Sequence, residues 1–153
     1  MIEIEGGLDG SSLKVGVVVA SWNQPITDRL LDGALKRLHR LGTGEVVVAR
    51  VPGALELTVA ARVLIESGCD AIVAIGTVVK GETDHYEIVV HDSNAGIARL
   101  AGETGVPIGN AILAVHDIDD AVARSGPGDS NKGAEAAVAA VQTANVIRSV
   151  RAL

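Results

Sequence analysis

The stretch that most constrains the fold is residues 71–87, AIVAIGTVVKGETDHYE. It opens with an unbroken apolar run, Ala71 to Val79, rich in Val and Ile. A run of that length and β-branched content predicts a strand covered on both faces, so the chain needs layers above and below it. Lys80-Gly81-Glu82-Thr83-Asp84 cannot continue a buried strand. From His85 the spacing changes: His85, Ile88, Val89 and Asp92 fall at helical intervals. A buried strand thus turns through a glycine into a helix, with Thr83 or Asp84 as the expected N-cap. The first turn of such a helix presents unpaired N–H groups at the positive end of the dipole, a ready site for phosphate. An imidazole in the same turn points to chemistry on a small phosphorylated molecule.

The rest of the chain repeats the strand-then-helix order. Leu13 to Ala20 predicts a first buried strand, broken at Ser21-Trp22-Asn23-Gln24-Pro25. A helix is expected from about 25 to 41, its apolar stripe formed by Ile26, Leu30, Leu31, Ala34, Leu35, Leu38 and Leu41, with Gly42 as its stop. Glu45 to Val51 is a second strand, Pro52-Gly53-Ala54 a turn, and 55 to 67 a second helix closed by Gly68. The third strand and the His85 helix follow, the latter expected to end near Gly102. Pro107 to Val115 is a fourth strand with Asn110 as a polar interruption. A short helix over 117–124, a loop over 125–130 and a final Ala-rich helix over 131–150 complete the chain. This alternation predicts an α/β fold: a three-layer α/β/α sandwich with a four-stranded parallel sheet, flavodoxin-like. Ligands in such folds bind outside the carboxyl ends of the strands. Those ends carry Trp22-Asn23, Pro52 to Glu56, Lys80 to His85, and His116-Asp117.

Composition narrows the functional classes. At 153 residues the chain is expected to be a single domain, with residues 1–12 as an N-terminal arm or edge strand. A hydrophobic content of 48% excludes disorder, and a net charge of −6 argues against a nucleic-acid binder. Arg29, Lys36, Arg37 and Arg40 are expected to form the solvated face of the first helix. The one cysteine, Cys69, excludes a disulfide framework and reads as inert core. The acidic start MIEIEGG has no apolar signal core, and no apolar run reaches transmembrane length, so a cytoplasmic protein without membrane contact is expected. Trp22 and Tyr86 are the only aromatics besides histidine, so the core must be aliphatic. No G-x-G-x-x-G follows a strand, and Gly126 to Gly133 lacks the Gly-Lys-Ser/Thr of a phosphate loop. The four histidines show no metal-ligand spacing, and no metal or cofactor is expected.

Four blocks in order resemble the lumazine synthase family. They are Ala20-Ser21-Trp22-Asn23 with Ile26 to Ala34; Val51-Pro52-Gly53-Ala54-Leu55-Glu56-Leu57; Gly76 to Tyr86; and Arg124-Ser125-Gly126 with Asn131-Lys132-Gly133. The resemblance implies a transferase of riboflavin biosynthesis. It would condense 5-amino-6-ribitylaminouracil with 3,4-dihydroxy-2-butanone 4-phosphate to give 6,7-dimethyl-8-ribityllumazine, phosphate and water, without a cofactor. It also implies an active site between neighbouring subunits of a homopentamer, an icosahedral shell of such pentamers, and association with riboflavin synthase. Carried onto this chain, His85 would shuttle protons, and the turn at Gly81, Glu82 and Thr83 would hold the phosphate, joined by Arg124 from the next subunit. Trp22 would stack on the pyrimidine. Ala54, Leu55, Glu56 and Asn110 would border the ring and ribityl chain. The backbone of Thr77, Val78 and Val79 would read the ring edge, and Lys132 would supply a fixed charge near the reacting centre.

The chain departs from the family's usual residues at Leu55 and Asn110, where an aromatic is common, and at Lys80, Asp84 and Leu113-Ala114-Val115-His116. Those departures motivate an alternative: a non-catalytic homologue that binds a lumazine or flavin, or forms a shell. Bland structural roles also stand beside each assignment. Trp22 could anchor the core, Glu56 could cap a helix start, Asn110 could mark a bulge, and Arg124 and Lys132 could be surface charges.

Overall fold

The computed structural model describes all 153 residues. Strand β1 (Lys14–Ala20) leads into helix α1 (Gln24–Arg40), and β2 (Glu45–Val51) into α2 (Leu57–Glu66) through one 3-10 turn, Ala54–Glu56. Strand β3 (Ala71–Val79) leads into α3 (His85–Thr104), and β4 (Ile108–Val115) into α4 (Ile118–Arg124) and α5 (Lys132–Arg151). The strands form one sheet in the order β2-β1-β3-β4, every pair parallel. Parallel neighbours need crossover helices, and here these cover both faces. This is the three-layer α/β/α sandwich, flavodoxin-like, that the alternation predicts.

Two aliphatic cores follow from the period-2 geometry of the central strands. Val15, Val17 and Val19 of β1 and Ala71, Val73 and Ile75 of β3 point to one face, where Leu30, Ala34 and Leu38 of α1 and Ala137, Ala140 and Val141 of α5 cover them. Val18, Ile72 and Ala74 point to the other, against Leu57, Ala61 and Leu64 of α2 and Ile97 and Leu100 of α3. Each fully covered Val or Ile contributes about 1.5–3 kcal/mol. Cys69 belongs to the second core, and burial pushes its thiol pKa up.

Several boundaries differ from expectation, each for a local reason. Helix α3 passes through Gly102 and ends at Thr104, because Gly105 takes the left-handed conformation (φ 67°) that closes the helix. The expected second helix begins as the 3-10 turn and becomes α-helical only at Leu57. Residues 1–12 form no strand and pair with neither edge of the sheet. They are an arm laid on α5: Asn145 Nδ2 donates to the carbonyls of Gly7 (2.8 Å) and Asp9 (3.0 Å). Met1 and Ile2 remain exposed.

Candidate active site

Strand β1 leads through α1 to its neighbour β2, and α2 carries the chain from β2 across to β3 on the other side of β1. The switch point of the sheet therefore lies at the carboxyl ends of β1 and β3, where such folds open a crevice. β1 pairs with β3 only as far as Val19 and Ile75, while β4 stays paired up to Val79 and Val115. Gly76 to Val79 thus run past β1. Parallel strands send alternate residues' backbone groups to opposite neighbours. The Lys80 amide bonds the Val115 carbonyl at 2.9 Å, so Thr77 and Val79 face the open side. There the Thr77 carbonyl accepts from Asn23 Nδ2 at 2.7 Å, and the backbone of Val79 has no partner. The Thr77 hydroxyl is buried and also unpartnered.

Beyond β3 the chain enters the turn at Gly81 to Asp84, every residue of which is exposed. Asp84 occupies the N-cap of α3 but its side chain caps nothing. Thr83 supplies the only contact, its Oγ1 accepting from the His85 amide at 3.4 Å. The amides of Tyr86 and Glu87 have no acceptor, and the first full helical bond is Ile88 N–H to the Asp84 carbonyl at 3.4 Å. His85 is exposed in this turn, while Tyr86 packs its ring edge-on against His116 at the end of β4, centroids 5.8 Å apart. Lys80 lies 3.6 Å from Glu87. Exposed amides without acceptors, at the positive end of a 20-residue helix, have the chemistry to accept an anion.

Trp22 is 66% exposed, so it anchors no core. Its amide donates to the Pro52 carbonyl at 2.9 Å, and its ring lies over Gly53, where an added Cβ would sit 2.5 Å from the indole. That close approach explains a glycine in the turn after β2. Glu56 Oε2 accepts the Gly53 amide at 2.8 Å, so this carboxylate does cap a helix start while it lines the same corner. Ala54 is buried beneath, and Leu55 is exposed beside Glu56. Trp22, Ala54, Leu55 and Glu56 therefore share one corner of the carboxyl edge.

Asn110, Arg124 and Lys132 stand elsewhere. They line a cavity of about 340 Å³ on the free edge of β4, which contains no residue of the Trp22 and His85 groups. Asn110 is no bulge: it pairs in register with Ala74. Its Nδ2 donates to Asn94 Oδ1 at 2.6 Å, and its Oδ1 accepts the Ile112 amide at 2.8 Å. Arg124 Nη1 donates to the Asp120 carbonyl at 3.0 Å, and Lys132 pairs with Glu135 at 2.8 Å. One chain thus places the expected site residues in two separate groups, on the carboxyl edge and on the β4 edge.

A further cavity, about 820 Å³, coincides with neither group. It lies between α1 and the loop 125–131 and is lined by the basic face of α1, of which Arg29, Lys36 and Arg40 are exposed as expected and Arg37 is partly buried. Two residues there and one at the switch point escaped the sequence reading as structural keys. Asn131 is 3% exposed and caps α5. Asp129 accepts from both Arg37 and Arg40. Asn23 is the one non-glycine residue at positive φ (58°), a conformation asparagine tolerates, and so marks the strand-to-helix corner.

The four-stranded parallel sheet between two helical layers, with its open switch point, makes this an α/β protein of the flavodoxin-like class. Residues 12–148 match the family model for 6,7-dimethyl-8-ribityllumazine synthase. The chain belongs to the lumazine synthase family, a family of transferases in riboflavin biosynthesis that act on small molecules as oligomers. No helix is long and apolar enough to cross a membrane.

Proposed function

We propose that the chain condenses 5-amino-6-ribitylaminouracil with 3,4-dihydroxy-2-butanone 4-phosphate, forming 6,7-dimethyl-8-ribityllumazine and releasing phosphate and water. The observation that carries this reading is the set of free amides over Gly81–Asp84 and at Tyr86 and Glu87, with His85 exposed among them. The amides, with Thr83, bind the phosphate ester. His85 moves protons during imine formation, phosphate elimination and ring closure. Trp22 stacks on the pyrimidine over the corner of Ala54, Leu55 and Glu56, and the free backbone of Val79, with Thr77 and Val78, reads the ring edge. The free carboxylate oxygen of Glu56 accepts from ribityl hydroxyls.

The β4 half-site completes this arrangement from a neighbouring subunit: Arg124 clamps the phosphate, Lys132 adds charge, and Asn110 contacts the ribityl side. A site divided in this way favours a ring, here a homopentamer, because a head-to-tail interface closes by rotation. The short loop 125–131 favours closure of pentamers into an icosahedral shell. The deciding experiment supplies both substrates to the purified protein and follows lumazine absorbance. Product formation above the buffer rate supports the enzyme, and a rate equal to the control refutes it. One observation favours the alternative of a ligand holder: Asn110 is already bonded to Asn94 and to its own strand. The same assay separates the two readings, since a holder binds the product without making it.

A further inference from the structure

The loop between α4 and α5 begins after Arg124 and ends at Lys132, the two basic side chains on the β4 cavity. Its outer side is fastened to α1. Asp129 Oδ1 accepts from Arg40 Nη1 at 2.7 Å and from Arg37 Nη1 at 3.2 Å. Positions 37 and 40 are one turn apart on the same face of α1, so one carboxylate bridges two successive turns. Arg37 has no alternative: its side chain is 19% exposed, and its Nε is buried with no acceptor. Next to this latch, Asn131 Nδ2 donates to the Arg29 carbonyl of α1 (3.1 Å) and across the loop to the Gly126 carbonyl (2.9 Å). Arg124, in contrast, is held only by contacts within its own short helix. Between these fixed points lie Gly126, Pro127 and Gly128, the last at φ 92°. With no regular structure of its own, the loop takes its path from where Asp129 and Asn131 meet α1.

We propose that Asp129, with Arg37 and Arg40, is the positioning group for Arg124 and Lys132. The ionic latch on α1 sets the height of both side chains over the β4 cavity, and so the affinity for the phosphorylated substrate. A merely solvated charged face does not account for two guanidinium groups converging on one oxygen beside an open groove. The inference rests on the proposed phosphate role of Arg124.

The test uses full-length assembled protein with Asp129→Asn, Asp129→Lys and Asp129→Glu. Asp129→Asn should raise KM for the butanone phosphate about two- to fivefold, the scale of an exposed ion pair, with kcat and KM for the pyrimidine unchanged. Asp129→Lys, which sets three cations together, should raise it about tenfold. Asp129→Glu should restore wild-type behaviour. Added salt should narrow the gap between wild type and Asp129→Asn. Amide hydrogen exchange over 126–131 is the second readout, and should accelerate in the Asn and Lys variants. Unchanged KM values overturn the proposal, whether or not exchange accelerates, because the latch then staples a loop without positioning anything. Equal rises in both KM values overturn it too. If wild type makes no lumazine, the catalytic reading fails on its own, and titration with inorganic phosphate decides the latch. Weaker phosphate binding in Asp129→Asn, with Arg124→Ala as the control that weakens it at least as much, upholds the positioning role. Equal phosphate binding, or none in wild type, overturns it.

Discussion

Helices α3 and α5 are each 20 residues long, yet their starts are treated in opposite ways. At α5 the donors are consumed internally: Asn131 Oδ1 accepts the amides of Gly133 (2.8 Å) and Ala134 (3.2 Å), and the junction is buried against α1. At α3 the side chain in the capping position accepts nothing, the turn is exposed, and the amides of Tyr86 and Glu87 lack acceptors. A capped start stabilises a fold by about 1 kcal/mol, so leaving α3 uncapped forgoes that amount. Both starts carry a side chain able to cap, Asp84 and Asn131, so residue type does not explain the difference. What differs is burial. A buried start must satisfy its donors within the chain, whereas an exposed start can leave them to water and exchange water for an anion. The α5 start thus serves stability, and the α3 start is the one that the proposed function gives to the phosphate.

The strongest way to break that division is His85→Ala. Its side chain is exposed and bonded to nothing in the chain, so melting temperature should not move. Lumazine turnover should fall about 10- to 1,000-fold, equivalent to roughly 1.4–4 kcal/mol of activation free energy. A drop in melting temperature without a drop in turnover would show that the α3 start is structural after all. The mirror experiment is Asn131→Ala. It strips two amides of their acceptor and two carbonyls of their donor in a buried junction. Unfolding in denaturant should show a loss of about 2–4 kcal/mol. Since the side chain touches no proposed ligand, turnover per folded molecule should change far less than stability.

The division was only half legible in the sequence. Strands and helices could be read because their signals are local: Ala71–Val79 is apolar on both faces, and α1 repeats its apolar stripe every turn. The carboxyl-edge half of the site could be placed because the strand ends follow from the strands. Capping states could not be read, because Asn131 works through Arg29 and Asp129 through Arg37 and Arg40, partners far along the chain. Asn110 closing on Asn94 depends on how α3 packs on the edge strand, which spacing does not encode. The segment Ile2 to Ile4 alternates like a strand, but alternation specifies faces rather than a partner, and the arm found α5 instead of a sheet. Trp22 was ambiguous for a similar reason. An indole after a strand end packs inward or outward according to the turn beside it, and the Pro52-Gly53 turn holds it outward.

A smaller effect sharpens the claim that the anion at α3 is shared with the β4 half-site. Arg124→Ala removes one charge-assisted contact, and should weaken the phosphorylated substrate by about 1.5–3 kcal/mol in a binding isotherm. Pyrimidine affinity should change much less. Equal losses for the two substrates would make Arg124 a structural residue of α4, held as it is by Asp120.

The smallest effect comes from two glycines, one at each helix start. A Cβ on Gly133 would meet the Leu30 carbonyl of α1 at 2.0 Å, a backbone atom that cannot step aside cheaply. At Gly81 a Cβ would meet nothing within 4 Å, and the residue has no positive φ to demand glycine. Gly81→Ala should therefore fold normally, and the reduced freedom of the unfolded chain should stabilise it by about 0.4–1 kcal/mol. If the turn exists to let an anion approach bare backbone, the same methyl group should raise KM for the butanone phosphate while leaving the pyrimidine KM alone. The measurement pairs a denaturation curve with steady-state kinetics on both substrates. A stabilised variant with impaired phosphate affinity is the signature of a glycine kept for ligand access. A stabilised variant with unchanged kinetics would move the phosphate away from Gly81, toward the amides of His85, Tyr86 and Glu87.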